Sequence, residues 1–129
     1  MREINPTGIA APFSNYSHAV LIDARSDILF VSGQLGIDAM GEFGRSFSEQ
    51  LEMAFDNLDA ILLDAGMSFE NVVKLTVWSK VEGREAAGAY RKERDRRITS
   101  HAPSALYAVV NAFSDPRILV EVEAIAAAS

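Results

Sequence analysis

Apolar side chains recur at steps of three and four between residues 47 and 62: Phe47, Leu51, Phe55, Leu58 and Leu62. That spacing builds one face of an α-helix, predicted here over 45–66. Ser46 or Ser48 can cap its start, and Gly66 stops it. Glu49, Glu52, Asp56 and Asp59 fall on the opposite edge, which reads as a solvated face. A second helical stretch runs from about 84 to 98, with a thin apolar stripe of Ala87, Tyr90 and Ile98. Glu93 and Asp95 interrupt its run "RKERDRR". The run therefore reads as an exposed, salt-bridged helix face, with anion binding as the alternative.

The remaining apolar runs have strand character. "SHAVLIDARSDILFVSGQLG" holds one near 18–23 and one at 28–33, around the polar break Arg25, Ser26 and Asp27. This is a hairpin signal. "DAMGEFG" is a loop punctuated by Gly41 and Gly44. Over 71–81, Val73, Leu75, Val77 and Ser79 alternate with Val72, Lys74, Thr76, Trp78 and Lys80. Two further strands are predicted at 104–113 and 117–127, with the turn "SDP" between them. The order is β-β-α-β-α-β-β. It describes one α+β domain over residues 1–129, with two helices on one face of a mixed sheet.

The other face then carries part of Val72, Trp78, Tyr107, Leu119 and Ile125, depending on register. That much apolar surface is too large to leave wet. Another copy of the chain, placed around a closed symmetry axis, is the simplest cover. A crevice between subunits would be the natural ligand site.

Composition narrows the function. The chain has 129 residues, 49% hydrophobic and 23% charged, which fits a folded globule. It has no cysteine. That excludes disulfides, a thiolate nucleophile and a Cys-rich zinc site, and it fits a reducing cytoplasm. The net charge is −6 and the pI about 4.8, with no basic stripe, so nucleic acid is not the expected partner. "MREINPTGIA" lacks the apolar centre of a secretion signal. No run approaches the ~18 apolar residues of a membrane span. A soluble, cytoplasmic protein without a membrane partner is expected.

Against this background "ILVEVEAIAAAS", residues 118–129, is unusual. Alternation puts Glu121 and Glu123 on one face with Leu119 and Ile125. Val120, Val122, Ala124 and Ala126 take the helix-covered face. A carboxylate at a subunit interface is costly to bury alone. Either it pairs with Lys74, Lys80 or an arginine, or one glutamate faces a wet crevice as an acid, a base or a water holder.

The segments "NYSHAV", "FVSGQLG", "LDAILLDAG", "NVVKLTVW" and "LVEVEAIA" stand in the order and spacing of the RidA/YjgF/UK114 family. The chain resembles that family over roughly residues 12–127. The resemblance implies a chorismate-mutase-like subunit and a homotrimer with three clefts between neighbours. It implies hydrolysis of reactive imines and enamines, shed by pyridoxal-phosphate enzymes, to 2-oxo acids and ammonia. No cofactor and no metal are implied. Carried over by position, Glu121 would hold or activate the attacking water, with Tyr16, Ser32 and Gly33 in the same cleft. Tyr16 and Ser32 can equally be explained as seam packing and local backbone support. His18 stands where Gln is frequent and reads as surface variation.

One departure matters. Deaminases of this kind carry an arginine two residues after a proline, where it grips the substrate carboxylate. Here Pro103 is followed by Ser104 and Ala105, and nothing from 104 to 110 is cationic. Tyr107 would reshape the same pocket, and Asn111 or an arginine near 94–97 could supply another anchor. Three outcomes follow. The protein hydrolyses an imine or enamine other than 2-iminopropanoate, binds a small molecule without catalysis, or serves as a protein-interacting trimer. Other enzyme classes lack support. There is no G-x-S-x-G, phosphate loop or H-E-x-x-H, and the two histidines, His18 and His101, lie far apart in sequence.

Overall fold

The computed structural model describes residues 1–129. Its elements in chain order are β1 (Arg2–Ile4), β2 (Ala19–Leu21), β3 (Asp27–Leu35), α1 (Phe47–Asp64), β4 (Val72–Ser79), α2 (Arg84–Arg97), β5 (Ser104–Val109) and β6 (Val120–Ala128). The α+β architecture matches the expected one, with β1 as an added strand. Helix α1 forms where its spacing predicts. Ser46 caps it, its hydroxyl accepting from the Glu49 N–H at 3.1 Å. Gly66 ends it at a φ of +72°. Leu51, Phe55, Leu58 and Leu62 are buried against the sheet, each worth about 1.5–3 kcal/mol.

The main sheet has the order β3-β6-β4-β5. Strands β4 and β5 run parallel with α2 as their crossover, because parallel neighbours need a long connection. Strand β6, last in the chain, enters between β3 and β4 and is antiparallel to both. Val120, Val122, Ala124 and Ala126 are buried on the helix side, so Glu121, Glu123 and Ile125 take the other. Phe30 is 73% exposed on that open face, paired with Ile125.

Four expectations are corrected. The hairpin of 18–23 with 28–33 does not form. Strand β2 pairs with β1, Arg2 opposite Leu21, while β3 pairs with β6. The Asp23 carboxylate accepts from the Arg25 N–H at 2.8 Å and makes the turn between β2 and β3. The sequence marked the strands, but pairing is decided by distant partners. Val72 is fully buried in the core rather than on the open face, because the β4–β6 register slips between Val72 and Lys74. Tyr107 sits on the helix side, since it pairs with Val77 and packs on the core. Finally, "RKERDRR" is not a wholly exposed face. Glu93 bridges Arg96 and Arg97 as expected, but Arg94 is only 2% exposed. Tyr90, Arg94 and Ile98 share one stripe at steps of four.

A buried polar staple fixes how β6 enters the sheet. Gln50 of α1, 2% exposed, donates from Nε2 to the carbonyls of Gly44 and Arg117 at 3.0 and 2.8 Å. Its Oε1 accepts from the Leu119 N–H at 2.9 Å. Replacing Gln50 by Leu leaves those backbone groups without partners, each at about 1–3 kcal/mol. A loss of roughly 3 kcal/mol in urea unfolding is the expected result.

The turn before β6 is closed by Asp115, which accepts from the Arg117 N–H at 2.8 Å and from its guanidinium. Those hydrogen bonds hold the Asp115 carboxyl at about 2. In Arg117→Ala the carboxyl should titrate closer to the ordinary 3.8. A carboxyl-carbon NMR titration reads this directly.

Candidate functional site

Glu121 stands mid-sheet, opposite Leu35 of β3 on one side and Trp78 of β4 on the other. Next to it β3 bulges. Val31 pairs with Ala124 and Gln34 with Val122, so Ser32 and Gly33 share the space of one residue. Bulges re-aim side chains and recur beside functional sites. The Glu121 carboxylate lies directly on Gly33. A Cβ there would overlap its Oε1 and stand 2.6 Å from its Cδ. Gly33 is not at a positive φ, so it is glycine for room rather than for backbone freedom.

None of the chain's ion pairs includes Glu121, Glu123, Lys74 or Lys80. The carboxylates are half-buried and unpaired within one copy. Glu123 lines a hollow of about 270 Å³ on the open face with Ser32, Lys74, Thr76 and Phe30. Ser32 therefore opens toward Glu123, while its neighbour Gly33 carries Glu121.

The other expected site residues lie elsewhere. Ala105 and Tyr107 pair with Leu75 and Val77, which places them on the helix side of the sheet, away from Glu121. With Tyr16 they line a second hollow of about 280 Å³, between α2 and the chain entering β2. The Tyr16 hydroxyl accepts from the Phe13 N–H at 3.1 Å. Asn111 is exposed after β5 and lines neither hollow. His18 packs edge-on against Tyr16, and its Nε2 is 2.7 Å from the Ala10 carbonyl. One chain thus carries two separated groups: Ser32, Gly33 and Glu121 at the bulge, and Tyr16, Ala105 and Tyr107 behind β5.

Sequence reasoning did not place Tyr90 in the second group, and it named Arg94 only within the range of an arginine near 94–97. Tyr90 stacks on Tyr107 with centroids 4.9 Å apart and rings inclined by 20°. Arg94 lies beside it, its guanidinium carbon 5.2 Å from the Tyr90 ring centre. Burial pushes the Tyr90 phenol above its ordinary value, against the pull of Arg94. Burial pulls Arg94 down, but its hydrogen bonds to Asp95 and Tyr90 outweigh this and hold it charged. The spacing Tyr90–Arg94–Ile98 was the available signal.

A family model described as Endoribonuclease L-PSP matches residues 8–128. The chain belongs to this family, the RidA/YjgF family. A RutC family protein of Aquifex aeolicus is 42% identical over 79 residues, 60% of this chain and 61% of that one. A 2-iminobutanoate/2-iminopropanoate deaminase of Bos taurus is 41% identical over 80 residues, 60% of this chain and 56% of that one. The chain thus spans less than two thirds of the length of these curated relatives. The solved Rid-family protein YyfB of Yersinia pestis superposes with a TM-score of 0.84 at 27% identity, covering 98% of each chain. RidA of a Psychrobacter species gives 0.71 at 27% identity, again over 98% of each. Within the RidA/YjgF fold, β6 is the strand that carries Glu121 into the sheet centre.

Proposed function

We propose that this RidA/YjgF chain hydrolyses a small reactive imine or enamine other than 2-iminopropanoate, in clefts between the subunits of a homotrimer. The observation that carries the reading is the Glu121 carboxylate, seated on Gly33 at a bulge and without a cation in its own subunit. Such a carboxylate can accept a proton. Water adds to the imine carbon while Glu121 takes its proton. Glu121 returns that proton to the nitrogen, giving a neutral carbinolamine; it then takes the carbinolamine's hydroxyl proton and delivers it to the nitrogen as the C–N bond breaks, and the products are a carbonyl compound and ammonia. The separation of the two residue groups supports a shared site. Glu121 and Gly33 of one copy would meet Tyr16, Ala105 and Tyr107 of the next. The exposed Phe30 supplies apolar surface for that seam. The net charge of −6 opposes an RNA backbone as substrate.

A second reading, a trimer that binds a small molecule without turnover, is favoured by Ala105, which leaves the strand without its carboxylate anchor. An amino-acid oxidase supplied with a range of amino acids generates imines in place, and semicarbazide traps them. The protein should lower semicarbazone formation for at least one amino acid. No effect with any of them ends the hydrolase reading, and a ligand-induced rise in melting temperature without product supports the binder. Light scattering should give three times the 14.0 kDa of the chain. Gly33→Ala tests the seat of Glu121. A displacement near 1 Å costs roughly a hundredfold in rate, whereas the melting temperature should move little, since the flexible end of Glu121 can shift.

A further inference from the structure

Two opposite charges, Lys74 and Glu123, share the hollow of about 270 Å³ on the open face of the sheet, and the hydrolytic reading uses neither. Thr76 stands directly opposite Glu123, and Lys74 directly opposite Ile125. Lys74 and Glu123 are therefore diagonal neighbours on one face, with Cβ atoms about 7 Å apart. They form no ion pair with each other or with any other group of the chain. Thr76 is only 6% exposed, and its hydroxyl has no hydrogen-bond partner in the chain, yet it is not a sealed polar atom. That hydroxyl therefore opens into the hollow that Thr76 lines. Ser32 joins it from the bulge of β3. Phe30 and Ile125, paired across β3 and β6, form the apolar end. One cation, one carboxylate, two hydroxyls and an apolar wall thus meet in one space.

We propose that this hollow binds a small α-amino acid with an apolar side chain, taken as its zwitterion. The carboxylate accepts from Lys74 and the Thr76 hydroxyl. The ammonium donates to Glu123 and the Ser32 hydroxyl, and the side chain lies on Phe30 and Ile125. Hydrogen bonds between ionised partners are the strong ones. A simple anion would meet Glu123 beside Lys74, and a simple cation would meet Lys74 beside Glu123, which costs each of them like-charge repulsion. Only a ligand with both signs answers both side chains. The hollow lies across the sheet from Ala105 and Tyr107, and Glu123 is two residues along β6 from Glu121. The amino acid is therefore held and not turned over, so the proposal goes beyond the hydrolase reading and does not depend on it. Phe30 also belongs to the proposed seam, so the ligand would rest against a neighbouring copy.

Calorimetry on the full chain with L-leucine, 4-methylpentanoate, 3-methylbutylamine and glycine tests it. Leucine should bind. 4-Methylpentanoate lacks the ammonium and 3-methylbutylamine lacks the carboxylate. Each should bind at least ~30-fold more weakly, as for a charge pair that loses one partner. Glycine, which has no side chain to lay on Phe30 and Ile125, should bind ~10-fold more weakly than leucine. Lys74→Met and Glu123→Gln should each weaken leucine by ~30-fold. Should either variant fail to fold, the analogue series decides the matter on the unaltered chain. No leucine binding shows that Lys74 and Glu123 serve each other or a neighbouring copy, and it overturns the proposal. Equal binding of leucine and either one-charge analogue, glycine as tight as leucine, or unchanged leucine affinity in either folded variant overturns it as well. Binding is read without turnover, so the result stands whatever the imine assay gives.

Discussion

Glu121→Gln is expected to lower imine hydrolysis by ~10²–10⁴-fold while fold and assembly stay intact. Glutamine has the same shape and can rest on Gly33, and the backbone pairing of β6 with β3 and β4 is untouched. What disappears is the proton acceptor. An amide cannot take the proton of the attacking water or return one to the departing nitrogen. Glu123→Gln is the internal comparison. Glu123 lies on the same face but two residues on, opposite Thr76 and beside Lys74 rather than on Gly33. A much smaller loss is expected there. Initial rates for both variants, with light scattering to confirm equal mass, decide the matter. An unchanged rate in Glu121→Gln removes this residue from the mechanism.

The second large effect concerns the substrate. Turnover of 2-iminopropanoate is expected to be roughly 30- to several-thousand-fold slower, in kcat/KM, than in a relative with an arginine at the position of Ala105. Removing one partner of a desolvated charge pair typically costs 2–5+ kcal/mol. Position 105 lies on β5 beside Leu75, and no cation on that strand can take over. Arg94 is tied to Asp95, Ser14 and Tyr90, so it cannot swing in as a substitute. Semicarbazide competition during alanine oxidation provides the comparison. Rates equal to those of the arginine-bearing relative show that a small carboxylate is held by some other group.

The two predictions differ in how directly the sequence supported them. The alternation in "ILVEVEAIA" placed both glutamates opposite the helices, and β6 agrees. The spacing could not tell them apart. The bulge at Ser32 and Gly33 separates them, because it brings Gly33 under Glu121 and opens Ser32 toward Glu123. Ala105 was legible as a missing cation. Its location behind the sheet was not, because a strand pattern does not say which face of an edge strand lies under a helix. The burial of Arg94 and of Gln50 was not foreseen for a related reason. Each stands on its helix's apolar stripe, at steps of three or four from Tyr90 and Phe47, but a polar residue there reads as solvent-facing until its partners are known.

The sequence by itself determined the periodic elements. It marked α1 with its cap and stop, the two faces of β6, the acidic and cysteine-free character of the chain, and the absence of an arginine two residues after Pro103. These are local properties of side-chain spacing and chemistry. Tertiary structure alone decided that β2 pairs with β1, that the last strand fills the centre of the sheet, and that Val72 turns inward at a register slip. It also decided that Arg94 is buried beside Tyr90 and Tyr107. Each of these depends on contacts between residues far apart in the chain, where hydrogen-bond pairing and close packing select among strand partners that periodicity leaves equivalent.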